Sequence, residues 1–253
     1  MNAEEFLEIL SNHLQDEGKI EALKDGIPLG TDSVNKLVFA FSKEPTFSLR
    51  HICVSGARRT AFIKRLMITL ACVYDKTEAN FLVLSPRLDY GELLRLQSLD
   101  MTAPFVRSKE DLSSALNCVK ELMEMQQTGR GYPKLFLVLD GLEEVAGTNS
   151  NADLEEYRAF FESLTARKNV VVISGTDLMR SIFSGYPGAF VGAGNCLVTT
   201  REEGMADVTW VQEDSALSLP SILHFPSSPS FTETVIFLNA ILKKETENND
   251  KQL

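Results

Sequence analysis

The stretch His51-Ile-Cys-Val-Ser-Gly-Ala-Arg-Arg-Thr60 decides how this chain is read. A short apolar strand, His51 to Ser55, runs through a single glycine into Gly56-Ala-Arg-Arg-Thr60, and helical spacing over Thr60 to Tyr74 begins at once. Near-continuous apolar runs recur at Phe81 to Ser85, Lys134 to Leu139 and Val170 to Ser174, separated by helical periods at Lys109 to Gln127 and Asp153 to Ala166. Short buried strands alternating with longer amphipathic helices predict an α/β fold, a mostly parallel sheet with helices on both faces. The middle helix has the fullest signal. Ser108 and Asp111 have capping-box spacing, and Leu112, Leu116, Val119, Leu122 and Met123 keep helical period.

Working outward, Phe6, Ile9, Leu10 and Leu14 give Ala3 to Leu23 a narrow apolar helical face. Gly26-Ile-Pro-Leu-Gly30 punctuates the chain, and Lys36 to Phe41 reads as a short strand. Beyond Gly175 the glycines at 185, 188, 192 and 194 mark turns around a strand or hairpin from Asn195 to Val211. A last apolar helix spans Thr232 to Leu242, and the charged tail Glu245 to Leu253 is expected to be disordered. The expected organisation is a helical extension (1–25), one domain (26–244) and a tail (245–253).

The chain has 253 residues, 44% hydrophobic and 24% charged, with a formal net charge of −10. That balance lacks the basic field that collects phosphate backbones, so strong nucleic-acid binding is not expected. The four cysteines, Cys53, Cys72, Cys118 and Cys196, show no metal or dithiol spacing, which reads as a reducing compartment. His13, His51 and His224 are scattered and read as structural or solvated, and Trp210 as packed. No apolar run approaches the roughly 20 residues that span a bilayer, and no basic n-region opens the chain. A cytoplasmic location follows as the expectation, with any membrane contact indirect, through a larger protein or complex.

The strand–glycine–helix unit stands where a P-loop, GxxxxGK[ST], would sit: a loop whose backbone N–H groups wrap a phosphate, with a Lys for its oxygens and a hydroxyl for magnesium. Aligned on the helix, Arg59 falls at the Lys position, Thr60 at the hydroxyl, and Arg58 at the second Gly, in a loop about three residues short of the motif. Gly56, Arg58, Arg59 and Thr60 are therefore the candidate nucleotide contacts. Two readings stand: a residual anion site at a helix N-terminus, or a tight turn with solvated arginines. Leu135-Phe-Leu-Val-Leu-Asp140 resembles a strand whose terminal carboxylate holds magnesium, making Asp140 the candidate metal ligand if nucleotide binds. Gly141 occupies the place where a general base usually follows, with Glu143 and Glu144 beyond it, so Asp140, Glu143 and Glu144 are the catalytic candidates. Thr176, after the fourth strand, suits a γ-phosphate sensor or a helix cap. No resident cofactor is expected, and Mg-ATP only at low affinity.

Together these pieces resemble the P-loop NTPases of RecA/FtsK type, the FtsK/SpoIIIE family, and especially the repeated ATPase modules of the EssC/EccC type VII secretion proteins. Gly26-Ile-Pro-Leu-Gly-Thr-Asp32 is similar to the "PLG(L)D" opening of those modules, and His51-Ile-Cys-Val-Ser-Gly56 to their "HLLVxG" strand. Phe81-Leu-Val-Leu-Ser-Pro-Arg87 resembles the second strand with its "DPK" end, Ser85 replacing the acid, while Lys134 to Asp140 and Val170 to Thr176 match the Walker B and sensor strands. The resemblance spans Gly26 to Leu242. It implies ring-forming motors that move DNA or protein, or degenerate terminal modules that recognise or regulate. The departures at Arg58, Ser85 and Gly141 point to the degenerate kind, partnered by a secretion substrate or a neighbouring ATPase module. The alternative is an active ATP-driven DNA or protein translocase with divergent motifs. A third reading, a DNA-binding accessory domain, is opposed by the net charge.

Overall fold

The computed structural model describes residues 8, 27–34, 36–40, 50–74, 77–95, 100–126, 133–146, 151–165, 169–175, 196–201, 204–210 and 221–225. The elements in chain order are β1 (Pro28–Thr31), β2 (Leu37–Phe39), β3 (Arg50–Ser55), α1 (Arg59–Val73), β4 (Ala79–Leu84), β5 (Asp100–Thr102), α2 (Lys109–Gln126), β6 (Lys134–Asp140), α3 (Asn151–Thr165), β7 (Val170–Gly175), β8 (Cys196–Thr200), β9 (Met205–Trp210) and β10 (Ser221–His224). The described strands form one sheet in the order β2-β1-β10-β9-β8-β3-β7-β6-β4-β5. From β8 to β5 every pairing is parallel, and from β2 to β8 every pairing is antiparallel.

Alternation along the central strands explains why helices cover both faces. Phe136 and Val138 of β6, with Val171 and Ile173 of β7, join the core against Phe62, Ile63 and Met67 of α1. Leu135, Leu137 and Leu139, with Val170 and Val172, join the opposite core against Leu112 and Leu116 of α2 and Tyr157, Phe160 and Leu164 of α3. A strand buried on both faces is mostly apolar, which is why β6 and β7 carry near-continuous Val, Leu and Ile runs. The start of α2 uses its capping residues: Ser108 Oγ accepts from the Asp111 N–H at 3.2 Å, and the Asp111 carboxylate accepts from the Arg107 N–H at 2.9 Å, one residue earlier than a standard capping box.

Within the described residues the expected strands and helices are present, with ends displaced by a residue or two. The hairpin expected over Asn195 to Val211 is β8 and β9, antiparallel in register Val198↔Val208. Three strands depart from the sequence reading. Pro28-Leu-Gly-Thr31 is strand β1 rather than punctuation, and β5 and β10 were not expected at all. The N-terminal helix, apart from Glu8, the helix over Thr232 to Leu242 and the tail lie outside the described residues, as does Thr176.

One buried polar pair stands out in the core. His51 of β3 and Ser174 of β7 lie on the face opposite α1, with His51 Nε2 2.5 Å from Ser174 Oγ, both shielded from water. Burial lowers the His51 pKa from 6.5 to about 4, so the ring is neutral in the fold. A depressed folded value means that its stabilising contribution is complete above pH 6.5 and is lost as pH falls through about 4. That shift amounts to on the order of 3 kcal/mol. Urea unfolding of the wild type and of His51→Gln between pH 7 and pH 4 should show a wild-type decline steeper by that amount; parallel declines would contradict a neutral buried His51.

Candidate functional site

The carboxyl ends of the parallel strands gather the candidate residues. β7 lies between β3 and β6, so the turn after β3 and the carboxylate ending β6 face each other across the end of β7. Crevices of this kind, at the carboxyl ends of strands in an open α/β sheet, are where such folds bind ligands.

The turn Gly56-Ala-Arg58 is closed on itself. Gly56 takes φ +94°, and a Cβ there would lie 2.2 Å from the Thr200 carbonyl oxygen, so β8 packs directly on the glycine. The Arg59 N–H donates to the Gly56 carbonyl at 3.2 Å and the Arg58 N–H to Thr200 Oγ1 at 3.2 Å. Thr200 Oγ1 in turn donates to the Ser55 carbonyl at 2.8 Å. Two amides of this turn thus bind the protein's own oxygens, in a place where a phosphate cradle needs N–H groups aimed outward. The Arg58 side chain is exposed at the N-cap of α1.

Asp140, by the alternation of β6, lies on the α1 side of the sheet and is fully buried. Its Oδ2 accepts from the Thr60 hydroxyl at 2.7 Å and from the Tyr90 hydroxyl at 2.9 Å. Its Oδ1 lies 3.3 Å from Arg59 Nε without a directed hydrogen bond, a charge contact rather than an aligned one. Gly175 leaves room for that oxygen: a Cβ on residue 175 would stand 2.6 Å from Oδ1. Burial raises the Asp140 pKa, and the hydrogen bonds from Thr60 and Tyr90 and the charge of Arg59 pull against it. For Arg59, burial pulls downward, but the hydrogen bond and charge of Glu143 and the charge of Asp140 outweigh it. Burial and the Asp140 charge push the Tyr90 phenol upward.

Arg59 binds a second carboxylate, with Nη2 2.5 Å from Glu143 Oε1, and next to it Arg87 pairs with Glu144. Of the residues singled out from sequence, Arg59, Thr60, Asp140 and Glu143 meet, Glu144 pairs one position outward, and Gly56 and Arg58 form the closed turn. Three participants were not anticipated: Tyr90, Arg87 as a partner of Glu144, and Thr200. None has a local signal. The turn after β4 and the register of β8 against β3 bring them in.

The sequence resemblance implies magnesium held through Thr60 and Asp140, and the donor chemistry can be tested against this geometry. As arranged, the residues do not fit the ion. Oδ2 is occupied by two hydroxyl donors, Oδ1 is enclosed by Arg59 and Gly175, and among the described residues no three acidic, His or Cys side chains group as metal ligands.

No family model matches the chain, and no curated protein matches it. Solved structures do. EssC (ATPases 2 and 3) from Geobacillus thermodenitrificans superposes with a TM-score of 0.51 at 13% identity, over 90% of this chain and 50% of that one. The cytoplasmic domain of the Thermomonospora curvata type VII secretion ATPase EccC gives 0.53 at 13% identity, over 81% of this chain and 26% of that one. Thermomonospora curvata EccC (ATPases 2 and 3) in complex with a signal sequence peptide gives 0.53 at 14%, over 81% and 41%. The chain therefore has the fold of the EssC and EccC ATPase domains, in agreement with the α/β P-loop architecture and the resemblance read from its motifs. It spans half or less of the length of these structures. Among the described residues no helix is long and apolar enough to cross a membrane.

Removing Arg59 leaves the buried Asp140 carboxylate with its two hydroxyl donors and only the charge of the outward-paired Arg87 nearby. Arg59→Ala should lose on the order of 2–3 kcal/mol, below the roughly 3–5 of a fully buried pair because the Arg59 side chain keeps 19% of its surface in water. Asp140→Asn in the same chain should recover part of that loss, a coupling read from urea unfolding of the four proteins of the cycle. The Arg59→Ala deficit should also shrink as pH falls from 7 towards 5, because a carboxyl with a raised pKa regains its proton early. Additive losses with no pH dependence would show that the pair is not coupled.

Proposed function

We propose that this chain is a degenerate FtsK/EssC-like P-loop ATPase module with weak or no ATP hydrolysis, acting as a protein-recognition or regulatory module of a secretion or translocation motor. The observation that carries the reading is the state of the nucleotide crevice: Arg58 and Arg59 amides bonded to Thr200 and Gly56, and the Arg59 guanidinium bonded to Glu143 and held against Asp140. Around that crevice the Arg59 and Arg87 guanidiniums are already engaged by Asp140, Glu143 and Glu144, so an arriving triphosphate meets paired charges and a loop with few converging amides. A general base at Glu143 or Glu144 would first have to leave its arginine.

A protein partner is the second part of the proposal. The similar structure of EccC ATPases 2 and 3 in complex with a signal sequence peptide supports it. On this reading the module works in the cytoplasm, reaches a membrane only through a larger complex, and binds a secretion substrate or a neighbouring ATPase module. The domain limits are part of the same proposal, with the P-loop-like unit over 26–244.

Calorimetric titration with Mg-ATP and a slowly hydrolysed analogue tests it. The expected outcome is no binding tighter than about 100 μM, no turnover above background, and capture of a partner among co-encoded secreted proteins or motor modules. Micromolar binding with turnover abolished in Asp140→Ala would instead establish an active translocase with divergent motifs.

A further inference from the structure

The fold implies a divalent cation at the end of β6, yet the residues there exclude one as they stand, and the side chain that occupies the place between the two carboxylates is Arg59. The Thr60 hydroxyl and the carboxylates of Asp140 and Glu143 are hard oxygen donors of the kind magnesium takes. Arg59 already lies between the two carboxylates, Nε 3.3 Å from Asp140 Oδ1 and Nη2 2.5 Å from Glu143 Oε1. The buried Asp140 Oδ1 accepts no hydrogen bond, as expected for an oxygen whose neighbour supplies charge rather than a directed donor. Arg87 does not share this position, because its guanidinium pairs outward with Glu144 and both side chains are about two-fifths exposed.

We propose that Arg59 is a built-in counter-cation that takes the place of the divalent metal, holding the end of β6 and the start of α1 together without metal or nucleotide. The inference rests on the reading of this crevice as a non-hydrolysing one and goes further: the metal requirement has been replaced by a covalently attached charge. A planar guanidinium can meet two carboxylates through different nitrogens, which a lysine ammonium does with poorer geometry. The cation site is therefore latent, and removing the guanidinium while keeping Thr60, Asp140 and Glu143 should uncover it.

The experiment uses the full chain without nucleotide. Thermal unfolding is followed while magnesium is titrated at constant ionic strength, and manganese binding is read by electron paramagnetic resonance. Wild type should show a flat Tm and no bound manganese. Arg59→Ala and Arg59→Gln should gain manganese binding and rise in Tm by about 2–4 °C with magnesium. Arg59→Ala combined with Asp140→Asn should lose both responses. Folded Arg59 variants that stay flat and bind no manganese would overturn the inference. So would a wild type that binds manganese through Asp140. Should neither Arg59 variant fold, the wild-type comparison with Asp140→Asn decides: manganese bound by wild type and lost in Asp140→Asn overturns the proposal, and none bound supports it. Because no nucleotide is present, ATP turnover by the wild type would defeat the function proposed above while leaving this result as it is.

Discussion

Asp140 places a carboxylate where water does not reach, at the end of a strand whose other residues are almost all buried, and the local structure follows from how that group is satisfied. An unpaired buried charge is among the most costly features a core can contain, and each hydrogen bond to a charged group is worth about 1.5–3 kcal/mol. Three segments converge on it. The start of α1 supplies Arg59 and Thr60, the turn after β4 supplies Tyr90, and β7 supplies the space that Gly175 leaves. The crevice is thus tied at one atom group as well as by sheet pairing.

The sheet order makes that convergence possible. With β7 between β3 and β6, the β3–α1 turn and the β6 terminus stand one strand apart, which is the span of an arginine side chain but too wide for backbone contact. On the far side, β8 closes against β3, and Thr200 reaches the turn at Gly56 and Arg58. The turn is therefore held from both directions, by β8 through a hydroxyl and by β6 through an ion pair.

Much of this was legible in the sequence, and the limits have physical causes. β3, β4, β6 and β7 announce themselves because strands buried on both faces carry few polar residues. β1 was read as punctuation because Pro28 and Gly30 are turn residues by propensity; here Pro28 opens the strand, where a missing N–H is tolerated. β5 (Asp-Met-Thr) and β10 (Ser-Ile-Leu-His) are too short and too mixed to show a period. In the crevice, Arg59, Thr60, Asp140 and Glu143 could be named from motif position alone. Tyr90 and Thr200 could not, since nothing in a linear pattern says which hydroxyl a turn or a register will bring to a buried carboxylate.

The departures from the P-loop pattern are better understood as one change than as several. A loop about three residues shorter than the motif has fewer amides to wrap a phosphate, and two of those it has are bound by Thr200 and Gly56. On the proposed reading, without a phosphate and its metal, the carboxylate ending β6 lacks a cation, and an arginine at the lysine position meets that need while reaching Glu143 as well. Reverting any one of these alone would leave the others unsatisfied. Arg59→Lys in the short loop would give Asp140 a point charge with no fork to hold Glu143, and a restored second glycine at position 58 would loosen a turn that still lacks the residues to form a cradle. On the proposed reading, the retained carboxylate at position 140 is kept as the anchor of the α1 start, a structural use for a group whose place in the fold suggests chemistry.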